Sequence, residues 1–209
     1  MIKYRIFDNM ERCTEEEVQR LLLEMDEKRR EEALRYKHLA GRFACLKSYA
    51  MLWEMLREDH VIEPGQLPDF VYNAHGKPRL ADVEGVHFNI SHCPHAIAVM
   101  TGNMEVGIDV ERYVSPSESL LNYTMNDDEI AEVKADAMAE RAFARLWTRK
   151  EALGKLYGTG LTKSMKVMLN DIDKDIVLRT WVNEEKKYAC TLAYYRQDAG
   201  TEIDDTVKG

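Results

Sequence analysis

The feature that most limits how this chain can fold is an order of elements that recurs on either side of the turn signal Gly102-Asn103. Ahead of it, a short strand at residues 3–7 leads into helical stretches, and strands follow near 70–72, 86–90 and 96–101. Beyond it come a strand at 106–111, helices from about 127 and 141, and strands near 166–169, 176–182 and 188–195. Strand, helix, then meander-like strands is the order expected of a helix packed on a mainly antiparallel sheet. The chain therefore predicts an α+β fold of two similar halves, residues 1–103 and 104–209, each a helix packed on a mainly antiparallel sheet. The expectation rests on element order, because the halves share little sequence.

Local signals fill in this outline. Thr14-Glu15-Glu16-Glu17 offers a capping box, after which Val18, Leu21, Leu22 and Met25 recur at helical spacing. A second helix is expected over about 39–57, with Phe43, Leu46, Ala50 and Trp53 on one side and Pro64-Gly65 marking the turn beyond it. From Gln197 onward the chain is polar, with Asp198, Glu202, Asp204 and Asp205, and is expected to fray.

At 209 residues, 45% hydrophobic and 32% charged, the chain has enough apolar side chains for a real core and is unlike disordered or collagen-like sequences. A formal charge of −8 opposes nucleic-acid binding, which calls for a basic excess. It leaves room for a small anionic ligand, because the field inside a cleft is set locally. Residues 1–7 lack the apolar run and small-residue cleavage site of a secretory signal, and no later run is long and uncharged. A cytoplasmic protein with neither a membrane nor a nucleic-acid partner is expected. Cys13, Cys45, Cys93 and Cys190 form no C-x-x-C pair, so reduced thiols without a metal or redox role are predicted.

The stretch with most chemistry is Val106-Gly107-Ile108-Asp109-Val110-Glu111. On a strand, Val106, Ile108 and Val110 share one face, while Asp109 and Glu111 share the other with Gly107. Two adjacent carboxylates repel unless a cation or solvent separates them, and hard oxygen donors suit Mg²⁺. A solvated strand face is the alternative. A second stretch, 143–155, places Trp147, Glu151 and Lys155 along one side of a helix and Phe143, Leu146 and Leu153 toward the core. Alone, Glu151 and Lys155 also read as an exposed ion pair.

Upstream, Phe88-Asn89-Ile90-Ser91-His92 brings a hydroxyl and an imidazole to a strand end, both able to donate to an anion. Gly76-Lys77-Pro78-Arg79-Leu80 is a turn by composition, and Lys28 and Arg42 belong to a basic stretch interleaved with glutamates. His92-Cys93-Pro94-His95 lacks a metal-site partner cluster. Gly158-Thr159-Gly160-Leu161-Thr162-Lys163-Ser164 is not a P-loop, since Thr162 stands where glycine is needed, and Gly158 fits a helix C-terminus.

In order, G-K-P-x-L at 76–80, F-N-I-S-H at 88–92, V-G-I-D-V-E at 106–111 and W-x-x-K-E-A-x-x-K at 147–155 resemble the signature of the surfactin-type 4′-phosphopantetheinyl transferase superfamily. The interval from Glu111 to Glu151 keeps the family's spacing. The resemblance implies transfer of the 4′-phosphopantetheine arm of coenzyme A to a serine of an apo acyl or peptidyl carrier protein, releasing 3′,5′-ADP. It also implies Mg²⁺ held by Asp109, Glu111 and Glu151, with Asp109, Glu151 and Lys155 catalytic and Lys155 meeting the pyrophosphate. By the same resemblance Ser91 and His92 meet phosphates, Lys77 and Pro78 border the adenine, and Lys28 and Arg42 reach the 3′-phosphate. Coenzyme A contacts then fall mainly to residues 1–103 and metal and catalytic residues to 104–209, so the resemblance implies an active site in the cleft between two pseudo-twofold halves, and a monomer. Exposed apolar residues such as Leu120 or Met125 serve either carrier docking or the core. A non-catalytic module that binds coenzyme A or a carrier is the alternative function.

Overall fold

The computed structural model describes residues 2–159, 165–196 and, for the backbone, 203–204. Strand β1 (Ile2–Phe7) opens the chain and helices α1 (Glu15–Glu24), α2 (Glu27–Leu34) and α3 (Leu39–Glu58) follow. Each of the first two starts at a side-chain cap: Thr14 accepts from the Glu17 amide and Asp26 from the Arg29 amide, relieving amides that a helix leaves unpaired. Next come a small hairpin, β2 (Phe70–Tyr72) and β3 (Pro78–Leu80), and a longer one, β4 (His87–Cys93) and β5 (Ala96–Gly102). The second region has β6 (Val106–Arg112), helices α4 (Glu118–Thr124), α5 (Asp127–Ala135) and α6 (Ala139–Tyr157), then β7 (Ile176–Asn183) and β8 (Tyr188–Tyr195). A last strand, β9, is Ile203–Asp204.

One sheet has the order β4-β5-β1-β9 and the other β6-β8-β7, while β2 and β3 pair only with each other. All pairings are antiparallel except β1 with β9, which is parallel. The molecule is α+β, with two sheet-bearing regions that each carry packed helices. Phe7, Phe88, Ile97 and Val99 join Leu21, Phe43, Leu46 and Trp53 of α1 and α3 in one core. The other face of that sheet, with Ile6, Ala98 and Met100, meets Val106, Ile108, Val110, Cys190 and Leu192 of the second sheet in an inner core. Ala152, Leu153 and Leu156 of α6 cover the far side of the second sheet.

Three expectations are corrected. Residues 165–167 form a 3-10 turn instead of a strand, because Met165 and Met168, three apart, both turn into the core beneath α6. Helix α4 has no counterpart in the sequence reading; it is one short segment capped by Ser117. The polar tail contributes Ile203–Asp204 to the edge of the first sheet, where a backbone ladder needs no apolar side chain. Residues 160–164, within the rejected P-loop segment, and the rest of the tail from 197 lie outside the described residues. Gly158 closes α6 with φ +65°, as its place after the helix predicts. Among the described residues, no helix is long and apolar enough to cross a membrane.

Candidate functional site

The site begins at the seam between the two sheets. Strand β6 pairs with β8 along one edge, and β4 covers the other with side chains. Asn89 Oδ1 accepts from the Ile108 amide at 2.9 Å and Ser91 Oγ from the Val110 amide at 3.3 Å. Two polar side chains thus stand in for a ladder and satisfy an edge that would otherwise be open. Neither structural role was apparent from sequence, although Asn89 and Ser91 share one strand face at a spacing of two.

On the opposite side, α6 lies directly on β6 at Gly107. A methyl group there would stand 2.1 Å from the Ala152 carbonyl oxygen and 2.6 Å from the Leu156 amide. This close approach brings Asp109 and Lys155 together. Asp109 is 3% exposed; its Oδ1 accepts from Ser91 Oγ at 2.8 Å and from Lys155 Nζ at 2.7 Å. Lys155 also donates to the Ile108 carbonyl at 3.2 Å. The other carboxylate oxygen, Oδ2, is buried with no hydrogen-bond partner.

Glu111 and Glu151 complete the acidic group. Burial, then repulsion from Asp109, raises the Glu111 carboxyl to about 7, with Lys155 opposing and Glu151 reinforcing the shift. Burial also raises Glu151, again with Asp109 adding and Lys155 opposing. Glu111 and Glu151 therefore both feel the charge of Asp109. Among the described residues, no three His, Cys, Asp or Glu side chains are already drawn into a metal-ligand cluster. In kind, the donors still fit a hard divalent cation: a buried carboxylate oxygen without a partner, and two further carboxyls that feel its charge.

A pocket opens beside Glu151 and Lys155, with Gly154 and Gly158 of α6 on one wall, Asn89 at the base, and His75, Gly76, Lys77 and Pro78 of the small hairpin opposite. Glu111 faces a separate recess lined by Val114, Leu120, Phe143 and Trp147. Glu151 thus lines one opening and Glu111 the other, while Asp109 is buried and lines neither. Leu120 belongs to that recess, while Met125 is fully buried core.

The remaining candidates are spread more widely. His92 is half-buried on β4, and burial followed by the charge of Lys155 lowers its imidazole. Pro78 lines the pocket, and so does Lys77, although the Lys77 ammonium is turned away toward Glu105. Lys28 sits 5.1 Å over the Tyr72 ring, and Arg42 Nε donates to the Tyr36 carbonyl at 3.0 Å. Neither lines the pocket beside Glu151.

Lys150, the first lysine of the W-x-x-K-E-A-x-x-K motif, was given no role of its own from sequence. It is wholly buried, and its ammonium donates to Glu129 Oε2 at 2.6 Å, the Met165 carbonyl at 2.7 Å and the Thr124 carbonyl at 2.9 Å. It ties α4, α5 and the 3-10 turn to the helix that carries Glu151. The available signal was its place on the apolar stripe of α6, between Leu146 and Leu153.

Residues 105–202 match the family described as the 4′-phosphopantetheinyl transferase superfamily. This matched stretch makes up slightly less than half of the chain. It is 24% identical over 151 residues to the 4′-phosphopantetheinyl transferase ffp of Bacillus subtilis, covering 71% of this chain and 67% of that protein. To the transferase AcpT of Salmonella typhimurium it is 38% identical over 98 residues, 44% of this chain and 50% of the relative. To the transferase gsp of Aneurinibacillus migulanus it is 28% identical over 151 residues, 68% and 61% of the two chains. The aligned part thus spans between about half and two thirds of these relatives. Asp109, Glu111, Glu151 and Lys155 all fall inside the stretch that matches the superfamily.

Proposed function

We propose that this protein is a member of the superfamily it resembles and transfers the 4′-phosphopantetheine arm of coenzyme A to a serine hydroxyl of an apo acyl or peptidyl carrier protein, releasing 3′,5′-ADP. The observation that carries the proposal is Asp109, a buried carboxylate with one oxygen on Lys155 and the other unpartnered, whose charge is felt by Glu151 on one opening and Glu111 on another. Coenzyme A enters beside Lys155, with its adenine toward Pro78 and its pyrophosphate against Lys155, Ser91 and His92. Lys28 and Arg42 serve the 3′-phosphate from the flank. The carrier serine approaches through the recess beside Glu111.

Asp109, Glu111 and Glu151 are the residues that would hold Mg²⁺. Such an ion supplies the positive charge that pyrophosphate oxygens need as negative charge builds on them. The chain's own groups do the rest. Lys155 meets charge on the leaving 3′,5′-ADP, and Glu151 accepts the serine proton, a role favoured by burial raising its carboxyl toward the working range. The serine oxygen bonds to the β-phosphorus as the bond from that phosphorus to the oxygen bridging the two phosphates breaks. Two halves, 1–103 and 104–209, related by a pseudo-twofold with this site in the cleft between them, are the architecture of the proposal. A cytoplasmic monomer is its setting.

Incubation with coenzyme A, Mg²⁺ and a set of apo carriers is the test, read by intact mass of the carrier and by 3′,5′-ADP release. One phosphopantetheine per carrier serine is expected, and EDTA should stop the transfer. Binding of coenzyme A without 3′,5′-ADP release would favour the non-catalytic binding module instead.

A further inference from the structure

The small hairpin β2–β3 bridges the two regions. Its base packs on the first core through Phe70 and Leu80, and Phe70 takes the Arg29 guanidinium over its ring. Its tip belongs to the second region. Two strands of three residues each, paired with no other strand, are marginal by themselves, so what fixes the tip decides where one wall of the pocket stands.

Two side chains fix it. Asn73 Oδ1 accepts from the His75 and Lys77 amides, each at 2.9 Å, shaping the turn from within. Its Nδ2 then donates to the Gly158 carbonyl at 2.9 Å, at the C-terminal end of α6. Lys77 is 9% exposed, and its ammonium has three acceptors: Glu105 Oε2 at 2.5 Å, the Val106 carbonyl at 3.1 Å and the Leu156 carbonyl at 3.3 Å. An ammonium has three donors, and here all three are committed within the protein. Gly158 confirms how tightly the parts meet, since a methyl group there would stand 3.0 Å from Lys77 Cδ and 3.3 Å from Asn73 Nδ2.

We propose that Asn73 and Lys77 are positioning residues, a latch that seats the hairpin tip on the end of α6 and sets the width of the pocket between Pro78 and the Glu151/Lys155 wall. Lys77 acts through Leu156, Val106 and Glu105 and does not touch the ligand through its charge. The consequence for binding rests on the reading that this pocket takes coenzyme A; the latch itself does not.

The experiment uses the full chain with Lys77→Met, Asn73→Ala and both together. Amide hydrogen exchange without any ligand reads the latch directly: residues 70–80 should lose protection in each single variant, and unchanged protection would overturn it. Calorimetric binding of 3′,5′-ADP reads the consequence. Each single variant should bind roughly tenfold more weakly, as expected for losing a hydrogen bond to a charged or buried group. The double variant should be little worse than either single one, because both break one device. The KM for the apo carrier should stay as in the wild type, and a thermal melt should show each variant fully folded at the assay temperature, which separates the latch from a general loss of stability. A tenfold loss in Lys77→Met with none in Asn73→Ala would mean direct contact with the ligand and would sink the latch. Failure of the wild type to bind 3′,5′-ADP or coenzyme A would refute the assigned ligand, while hydrogen exchange would still decide the latch.

Discussion

Asp109 combines two demands that conflict in a purely structural residue. Its Oδ1 is satisfied by Ser91 and Lys155, yet Oδ2 is buried with no partner, a state that costs about 1–3 kcal/mol. Replacing the charge while keeping the shape separates the two demands. Asp109→Asn should hold or raise the melting temperature of the metal-free protein and lower carrier modification at least a hundredfold, in the range seen when one charge-stabilising group is lost. Intact-mass kinetics beside a thermal melt check both, and native-rate transfer would remove Asp109 from the site. The grouping of Asp109 with Glu111, and of Glu151 with Lys155, was legible because spacings of two and four put side chains on one face of a strand or helix. What Ser91 and Lys77 bond to was not legible. Their partners lie 18 to 79 residues away in the chain, and only the tertiary fold brings them close.

At the scale of elements, α6 is the part on which the site depends, and it is held from two sides. Against β6 it is held by the absence of a side chain at Gly107. Gly107→Ala should push α6 off the strand and cost about 1–3 kcal/mol, typical of overpacking. A urea melt measures this, and transfer should fall with it because Asp109 and Lys155 separate. From the other side, Lys150 anchors α6 through Glu129. Lys150→Met alone leaves a buried carboxylate unpaired and should cost about 3–5 kcal/mol, whereas Lys150→Met with Glu129→Leu should cost clearly less, because no lone charge remains. Equal destabilisation by single and double variants would show that the pair's charges do not matter. Helix ends were legible where caps mark them, as at Thr14 and Gly158. The capping box expected at Thr14 is realised at Asn126, where Asn126 and Glu129 each accept the other's amide. The strand expected at 166–169 is not formed, because two buried methionines three apart, Met165 and Met168, leave no strand alternation to follow.

For the whole molecule, the sequence order of elements shows that two sheets each carry helices, but nothing local shows how they join. Beside the apolar inner core, two joints are polar: Asn89 and Ser91 on β6, and the hairpin tip on α6. At the second joint Glu105 gathers Lys77, Arg79 and His87, the last with Nδ1 at 3.2 Å. Burial alone would raise the Glu105 carboxyl, but the Lys77 hydrogen bond and the surrounding cations outweigh it and hold the group below its ordinary 4.5. A carboxylate lowered in the folded state stabilises the fold above its unfolded value, and that contribution disappears as pH falls through the lowered one. The melting temperature of the wild type should therefore exceed that of Glu105→Gln at neutral pH. The gap should hold down to about pH 4.5 and then close with further acidification. Hydrogen exchange at residues 70–80 should follow the same course, since Lys77 loses its charged partner when Glu105 takes up a proton. Melting curves of the two proteins that stay parallel from pH 7 to pH 3 would mean that Glu105 carries no share of the joint, and that the hairpin tip is held by Asn73 and the backbone carbonyls alone.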